Sequence, residues 1–143
     1  MSKKVLVVDD DFGQRDLYLE LFREAGFEVT PANDGQDAWE KIQKDRPDLV
    51  FTGILMPRMT GFELVDKLRH NKTTETIPII IFSHLGREED RKKALGLPFV
   101  AFMVKGYDRT TKILKQAKDM VNSDHPGINI LPDEDDRQGF TVI

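Results

Sequence analysis

Five short apolar runs recur along the chain, at 4–8, 27–30, 48–52, 79–83 and 99–104. Val5-Leu6-Val7-Val8 and Ile79-Ile80-Ile81-Phe82 are unbroken rather than alternating. Strands that are apolar on both faces are covered on both faces, which marks the centre of a parallel sheet. Between the runs, the apolar period changes to that of a helix. Asp11 can cap a first helix whose Leu17, Leu21, Phe22 and Ala25 form one stripe, with Gly26 as its stop. Asn33-Asp34-Gly35 leads into a second helix through Ala38, Trp39 and Ile42 that ends before Pro47. Phe62, Val65 and Leu68 mark a third; a fourth covers 88–95 and stops at Gly96 and Pro98. Ile113, Leu114, Ala117, Met120 and Val121 mark a fifth. Strict alternation of strand and helix predicts a doubly wound α/β domain. The expected strand order is 2-1-3-4-5, with functional residues at the carboxyl ends of the strands.

Composition narrows this picture. A chain of 143 residues with 39% hydrophobic content suits one domain with a real core. It contains no cysteine, which excludes disulfides and thiolate metal sites. No apolar run approaches the ~20 residues of a membrane helix and no leader pattern opens the chain, so the expectation is a soluble cytoplasmic protein. The formal charge of −4 is concentrated at the end. From Asn122 onward Asp124, Asp133, Glu134, Asp135 and Asp136 face one base, Arg137, and residues 1–121 are balanced. No basic excess is available to hold nucleic acid by its phosphates. The expected organisation is a domain over 1–121 and an acidic, flexible tail over 122–143.

The first run ends in Asp9-Asp10-Asp11. Adjacent carboxylates at a sheet edge repel, and a hard cation such as Mg²⁺ relieves this. Helix capping is the plainer account, and Asp11 suits it. The fourth run ends in Ser83 and the fifth in Lys105. Alone, the first is an ordinary loop-capping hydroxyl and the second a solvated lysine. His70, His84 and His125 lack metal-ligand spacing. The loop Asp9-Asp10-Asp11-Phe12 would repel a phosphate, which argues against a flavin or dinucleotide reader.

Taken together, Asp9-Asp10, the loop Met56-Pro57-Arg58-Met59-Thr60-Gly61-Phe62-Glu63-Leu64, Ser83 and Phe102-Met103-Val104-Lys105 resemble a response-regulator receiver domain over about residues 3–121. The resemblance implies a flavodoxin-like (CheY-like) fold with five parallel strands and five helices, and a role in two-component phosphorelay signalling. It implies Asp9 and Asp10 as metal carboxylates beside the Leu55 backbone carbonyl, Ser83 and Lys105 as phosphoryl contacts, and Phe102 as a switching aromatic. It places partner contacts on helix 4, strand 5 and helix 5, at His84, Leu85, Arg91, Phe102 and Tyr107. The partners it implies are a histidine kinase, another regulator, or a second copy of the chain.

The sequence departs from the pattern at Gly53, where the family carries its phosphoacceptor aspartate; the Met56-Pro57 anchor fixes that register. Glycine has no side chain and cannot be a nucleophile. One metal carboxylate is thereby lost, so Mg²⁺ is expected to bind more weakly. Lys105 loses a counter-ion and is expected to turn to Asp9, Asp10 or solvent. Thr60 replaces a commonly acidic residue, Gly106-Tyr107 follows the lysine where many receivers have proline, and Leu97-Pro98-Phe99 replaces a small acidic turn. The leading expectation is a stand-alone, non-enzymatic, phosphorylation-independent binding module. The alternatives are a substitute acceptor at Thr52 or the Asp9–Asp10 pair, or an inactivated variant of an ordinary receiver.

Overall fold

A computed structural model describes residues 2–122; the acidic tail expected beyond Asn122 lies outside the described residues. The elements are β1 (Lys4–Val8), α1 (Phe12–Glu24), β2 (Glu28–Ala32), α2 (Gly35–Lys44), β3 (Leu49–Thr52), α3 (Gly61–Arg69), β4 (Ile79–Ser83), α4 (Glu88–Leu95), β5 (Val100–Val104) and α5 (Thr110–Val121). All strand pairings are parallel, and the order is β2-β1-β3-β4-β5.

The unbroken apolar strands are explained by two cores. Leu6, Val8, Val50, Ile79, Ile81 and Phe102 face one layer with residues of α2, α3 and α4. Val5, Val7, Leu49, Phe51, Ile80 and Phe82 face the other, with residues of α1 and α5. Successive strand residues alternate between these layers, so every position is buried.

Three expectations are corrected. Leu17 is 52% exposed; the buried positions of α1 are Gln14, Tyr18, Leu19 and Phe22. The helix is rotated by its aromatics: the Tyr18 ring stacks at 4.9 Å on Phe51 and meets Phe82 at the same distance, and Phe22 sits edge-on to Phe51. The second strand runs later than 27–30, to Ala32, and includes Pro31. That residue is tolerated because β2 is the edge of the sheet and proline lacks an N–H to give. Phe99 lies outside β5 because its φ is +60°, a left-handed conformation incompatible with a strand. Arg69 stacks over the Phe99 ring at 5.3 Å and donates to its carbonyl oxygen.

Candidate functional site: the strand-end acidic pocket

Register brings the predicted residues together. Val8 pairs with Ala32 on one side and Thr52 on the other, so Asp9 and Gly53 leave the sheet side by side. The Gly53 N–H donates to the Val8 carbonyl at 3.0 Å, and the Asp9 N–H to Ala32 at 3.1 Å. Ser83 pairs with Val104, and the Lys105 N–H donates to the Ser83 carbonyl at 2.9 Å. A cavity of about 370 Å³ lies above this edge, lined by Asp9, Asp10, Asp11, Gly53, Ser83 and His84 and rimmed by Leu55, Leu85, Arg87 and Asp90.

Asp9 is the buried acid of the group. Its Oδ1 accepts from the Asp11 N–H at 2.9 Å, and its Oδ2 lies 3.8 Å from His84 Nε2. Burial pushes the Asp9 carboxyl above its ordinary value; the Asp11 N–H and the His84 charge act in the opposite direction. Asp10 is exposed. Asp11 caps α1, accepting from the Gln14 N–H at 3.1 Å, as expected of it.

Ser83 is buried, and its Oγ accepts from the Gly86 N–H at 2.9 Å, fastening the turn between β4 and α4. Lys105 is exposed, does not line the cavity, and among the described residues makes no ion pair. Of the alternatives expected for Lys105, Asp9, Asp10 or solvent, it takes solvent, and His84 stands beside Asp9. Gly106, at φ +78°, takes a left-handed conformation directly after the lysine.

The partner-face residues divide. His84 and Leu85 are exposed, and Arg91 and Tyr107 are half-buried, with Arg91 3.2 Å from Glu88. Phe102 is 3% exposed and belongs to the core, so it is withdrawn from the partner surface in this conformation. The sheet's pleat, which turns positions 100, 102 and 104 to the same layer, places it there. Thr52 is fully buried, and its hydroxyl donates to the Gly53 carbonyl at 3.0 Å.

The loop joining β3 to α3 is held by contacts that pattern alone did not reveal. Asp34 caps α2 through the Asp37 N–H, and Arg58 binds both its oxygens, at 2.9 and 3.1 Å. This fork, with the Asp37 N–H, holds the Asp34 carboxyl below its ordinary value. Arg58 adopts φ +65° to reach it. Thr60 and Glu63 form a reciprocal capping box that starts α3. The Thr60-Gly61-Phe62-Glu63 spacing was the available signal for the box. Arg58 and Asp34 are 24 positions apart and left none.

Receiver domains generally bind Mg²⁺ at their acidic pocket. Here the carboxylates of Asp9, Asp10 and Asp11 line the cavity. Among the described residues no three His, Asp or Glu groups are placed to hold a metal ion. Gly53 contributes no carboxylate, and one Asp9 oxygen is committed to the Asp11 N–H.

A parallel β2-β1-β3-β4-β5 sheet with an acidic pocket at its carboxyl edge defines a flavodoxin-like α/β domain. Residues 5–118 match the family model for the response regulator receiver domain, and the chain belongs to that family. It is 36% identical over 104 residues to an uncharacterized 14.6 kDa protein of Leptolyngbya boryana, covering 73% of this chain and 79% of that one. It is 35% identical over 116 residues to a gliding motility regulatory protein of Myxococcus xanthus, covering 81% of this chain but 15% of that much longer protein. The crystal structure of the chemotaxis response regulator CheY4 of Vibrio cholerae superposes with a TM-score of 0.72 at 32% identity, covering 82% of this chain and 98% of that one. Receiver domains are signalling modules of two-component systems, where they meet histidine kinases and other response regulators. Among the described residues no helix is long and apolar enough to cross a membrane.

Proposed function

We propose that this receiver works as a phosphorylation-independent protein-binding module in two-component signalling. The observation that carries the proposal is Gly53 at the strand end beside Asp9, where the family's acceptor carboxylate belongs. An acyl phosphate needs a carboxylate nucleophile presented there, and neither Asp9 nor Thr52 is well placed to substitute for it. Asp9 is buried and tied to the Asp11 N–H, and Thr52 is enclosed with its hydroxyl turned to the Gly53 carbonyl. Ser83 and Lys105 take ordinary parts, one fastening a turn and the other facing solvent.

The partner is a histidine kinase, another regulator or a second copy of this chain, met through α4, β5 and α5. His84, Leu85, Arg91 and Tyr107 offer side chains on that side. Intact-mass spectrometry after incubation with acetyl phosphate and Mg²⁺ tests the reading. An unchanged mass is expected. A gain of one phosphoryl group would refute it, and mapping that group would identify Thr52, Asp9 or Asp10 as a substitute acceptor.

A further inference from the structure

Of the five helices, α4 buries the least. Ala94 is its one buried side chain, and no side chain caps its start at Arg87. By contrast α3 buries Leu64, Val65 and Leu68, and α5 buries Ile113, Ala117 and Met120. A single buried methyl group gives little hydrophobic stabilisation, so the position of α4 depends on its ends and its surface contacts. Lys93 lies over the Phe62 ring of α3 at 4.5 Å, from an exposed position. Before the helix, Ser83 Oγ accepts from the Gly86 N–H. After it, Gly96-Leu97-Pro98-Phe99 leads into β5.

That second turn is gripped by Arg69, the last residue of α3. Its Nε donates to the Pro98 carbonyl at 3.0 Å and its Nη2 to the Phe99 carbonyl at 3.3 Å, while Nη1 stands 3.5 Å from the Thr74 carbonyl. The same Phe99 carbonyl accepts from the Ile79 N–H at 2.9 Å, where β4 meets β5. The guanidinium also covers the Phe99 ring. Among the described residues no acid pairs with Arg69, and burial pushes its pKa down to about 10. A half-buried cation is thus committed to turn carbonyls and a ring in place of a carboxylate. Phe99 holds φ +60°, a left-handed conformation that a bulky side chain keeps only when its surroundings enforce it. Arg69 grips that residue by both its ring and its carbonyl.

We infer that Arg69 is the positioning residue of the α4–β5 face. One guanidinium clamps the turn between these elements from the amino edge of the sheet, fixes where α4 stands and keeps Phe102 in the core layer it shares with Ala94. The hold comes from the edge opposite the acidic pocket, so it acts whatever the pocket contains. Lysine would serve less well, because an ammonium lacks the planar fork that reaches two neighbouring carbonyls while lying on a ring. The clamp stands apart from the chemistry at Gly53; only the description of this side as the partner face rests on the reading above.

NMR relaxation dispersion on the whole chain, paired with urea midpoints, tests the clamp. Arg69→Ala should show dispersion through α4 and β5, Phe102 included. Its minor conformer should be at least about tenfold more populated than in the wild type, the scale of one lost hydrogen bond to a charged group. Arg46→Ala, which takes another guanidinium from a turn carbonyl (Thr73, at 2.8 Å), should leave α4 and β5 quiet whatever its urea midpoint. Phe99→Gly removes the ring and takes the left-handed conformation without cost, so in that chain Arg69→Ala should raise the minor population less. Arg69→Lys should show the same dispersion in milder form, and it carries the test if the alanine chain does not fold. A lowered midpoint with no dispersion in α4 and β5 would overturn the inference. Equal dispersion in Arg46→Ala, or equal effects of Arg69→Ala with and without Phe99, would overturn it too. None of these readouts depends on the mass measurement at Gly53.

Discussion

A Cβ placed on Gly53 would stand 3.9 Å from Oδ2 of Asp9, in ordinary contact with everything around it. The glycine is not held by crowding, and its backbone lies outside the left-handed region. The scaffold therefore has room for a Cβ at this position.

Gly53→Asp should fold. Its new carboxylate would lie beside Asp9, and two like charges about 4 Å apart cost about 1–4 kcal/mol between bulk water and a protein surface. Urea denaturation at neutral pH should show a loss within that range without Mg²⁺ and its recovery with Mg²⁺. The variant should also gain one phosphoryl group from acetyl phosphate. A variant that is equally stable with and without Mg²⁺ would show that the pocket has lost more than one ligand.

Gly61→Ala should be far more harmful than the change at Gly53. A Cβ there would overlap the Gly53 carbonyl oxygen and stand 3.1 Å from its carbonyl carbon and 3.2 Å from Ile54 Cα. All three are backbone atoms, and the Gly61 N–H donates to the Ile54 carbonyl at 2.8 Å, so neither side can retreat. A cost of about 1–3 kcal/mol is expected from such overpacking, read as a lower urea midpoint. Unchanged stability would mean that the loop after β3 is slack.

Arg58→Ala should change the response to acid. Arg58 and the Asp37 N–H depress the folded pKa of Asp34, so the folded state holds the charged carboxylate more strongly than the unfolded chain does. That stability is present above the unfolded value of about 4 and is lost as pH falls through the lower folded value. Without Arg58, urea midpoints measured across this window should fall less steeply with acidification. An unaltered slope would assign the depression to the Asp37 N–H alone.

Asp9→Asn should have the opposite sign. Burial raises the Asp9 pKa, so folding favours its protonated form and the charged form is a net cost at neutral pH. Wild-type stability from this group rises as pH falls through the raised value toward the unfolded one. Asparagine keeps an oxygen for the Asp11 N–H and removes the charge. The variant should melt later than the wild type at neutral pH, and the difference should shrink in acid. Earlier melting would mean that the His84 contact outweighs the cost of burial.

Local pattern carried the architecture because a buried parallel strand needs apolar residues on both faces, and β1 and β4 state this in four consecutive positions each. The place where the first helix starts was equally legible at Asp11, whose cap involves an atom only three residues away. The edge strand and helix rotation were less so. Glu28–Ala32 is half polar because only one neighbour covers it, and the buried side of α1 was chosen by Phe51 and Phe82 on distant strands.

The sequence by itself determined the doubly wound fold, the acids, hydroxyl and lysine at the strand ends, and the glycine at position 53, because each is a matter of residue type at a local position. Only the tertiary structure decided which charge faces which. His84 stands beside Asp9, Lys105 stands apart, Arg58 holds Asp34, and Leu55 and Leu85 share the rim of one cavity. Those pairings depend on strand register and on loops that converge from separate parts of the chain, where distance along the sequence says nothing about distance in space.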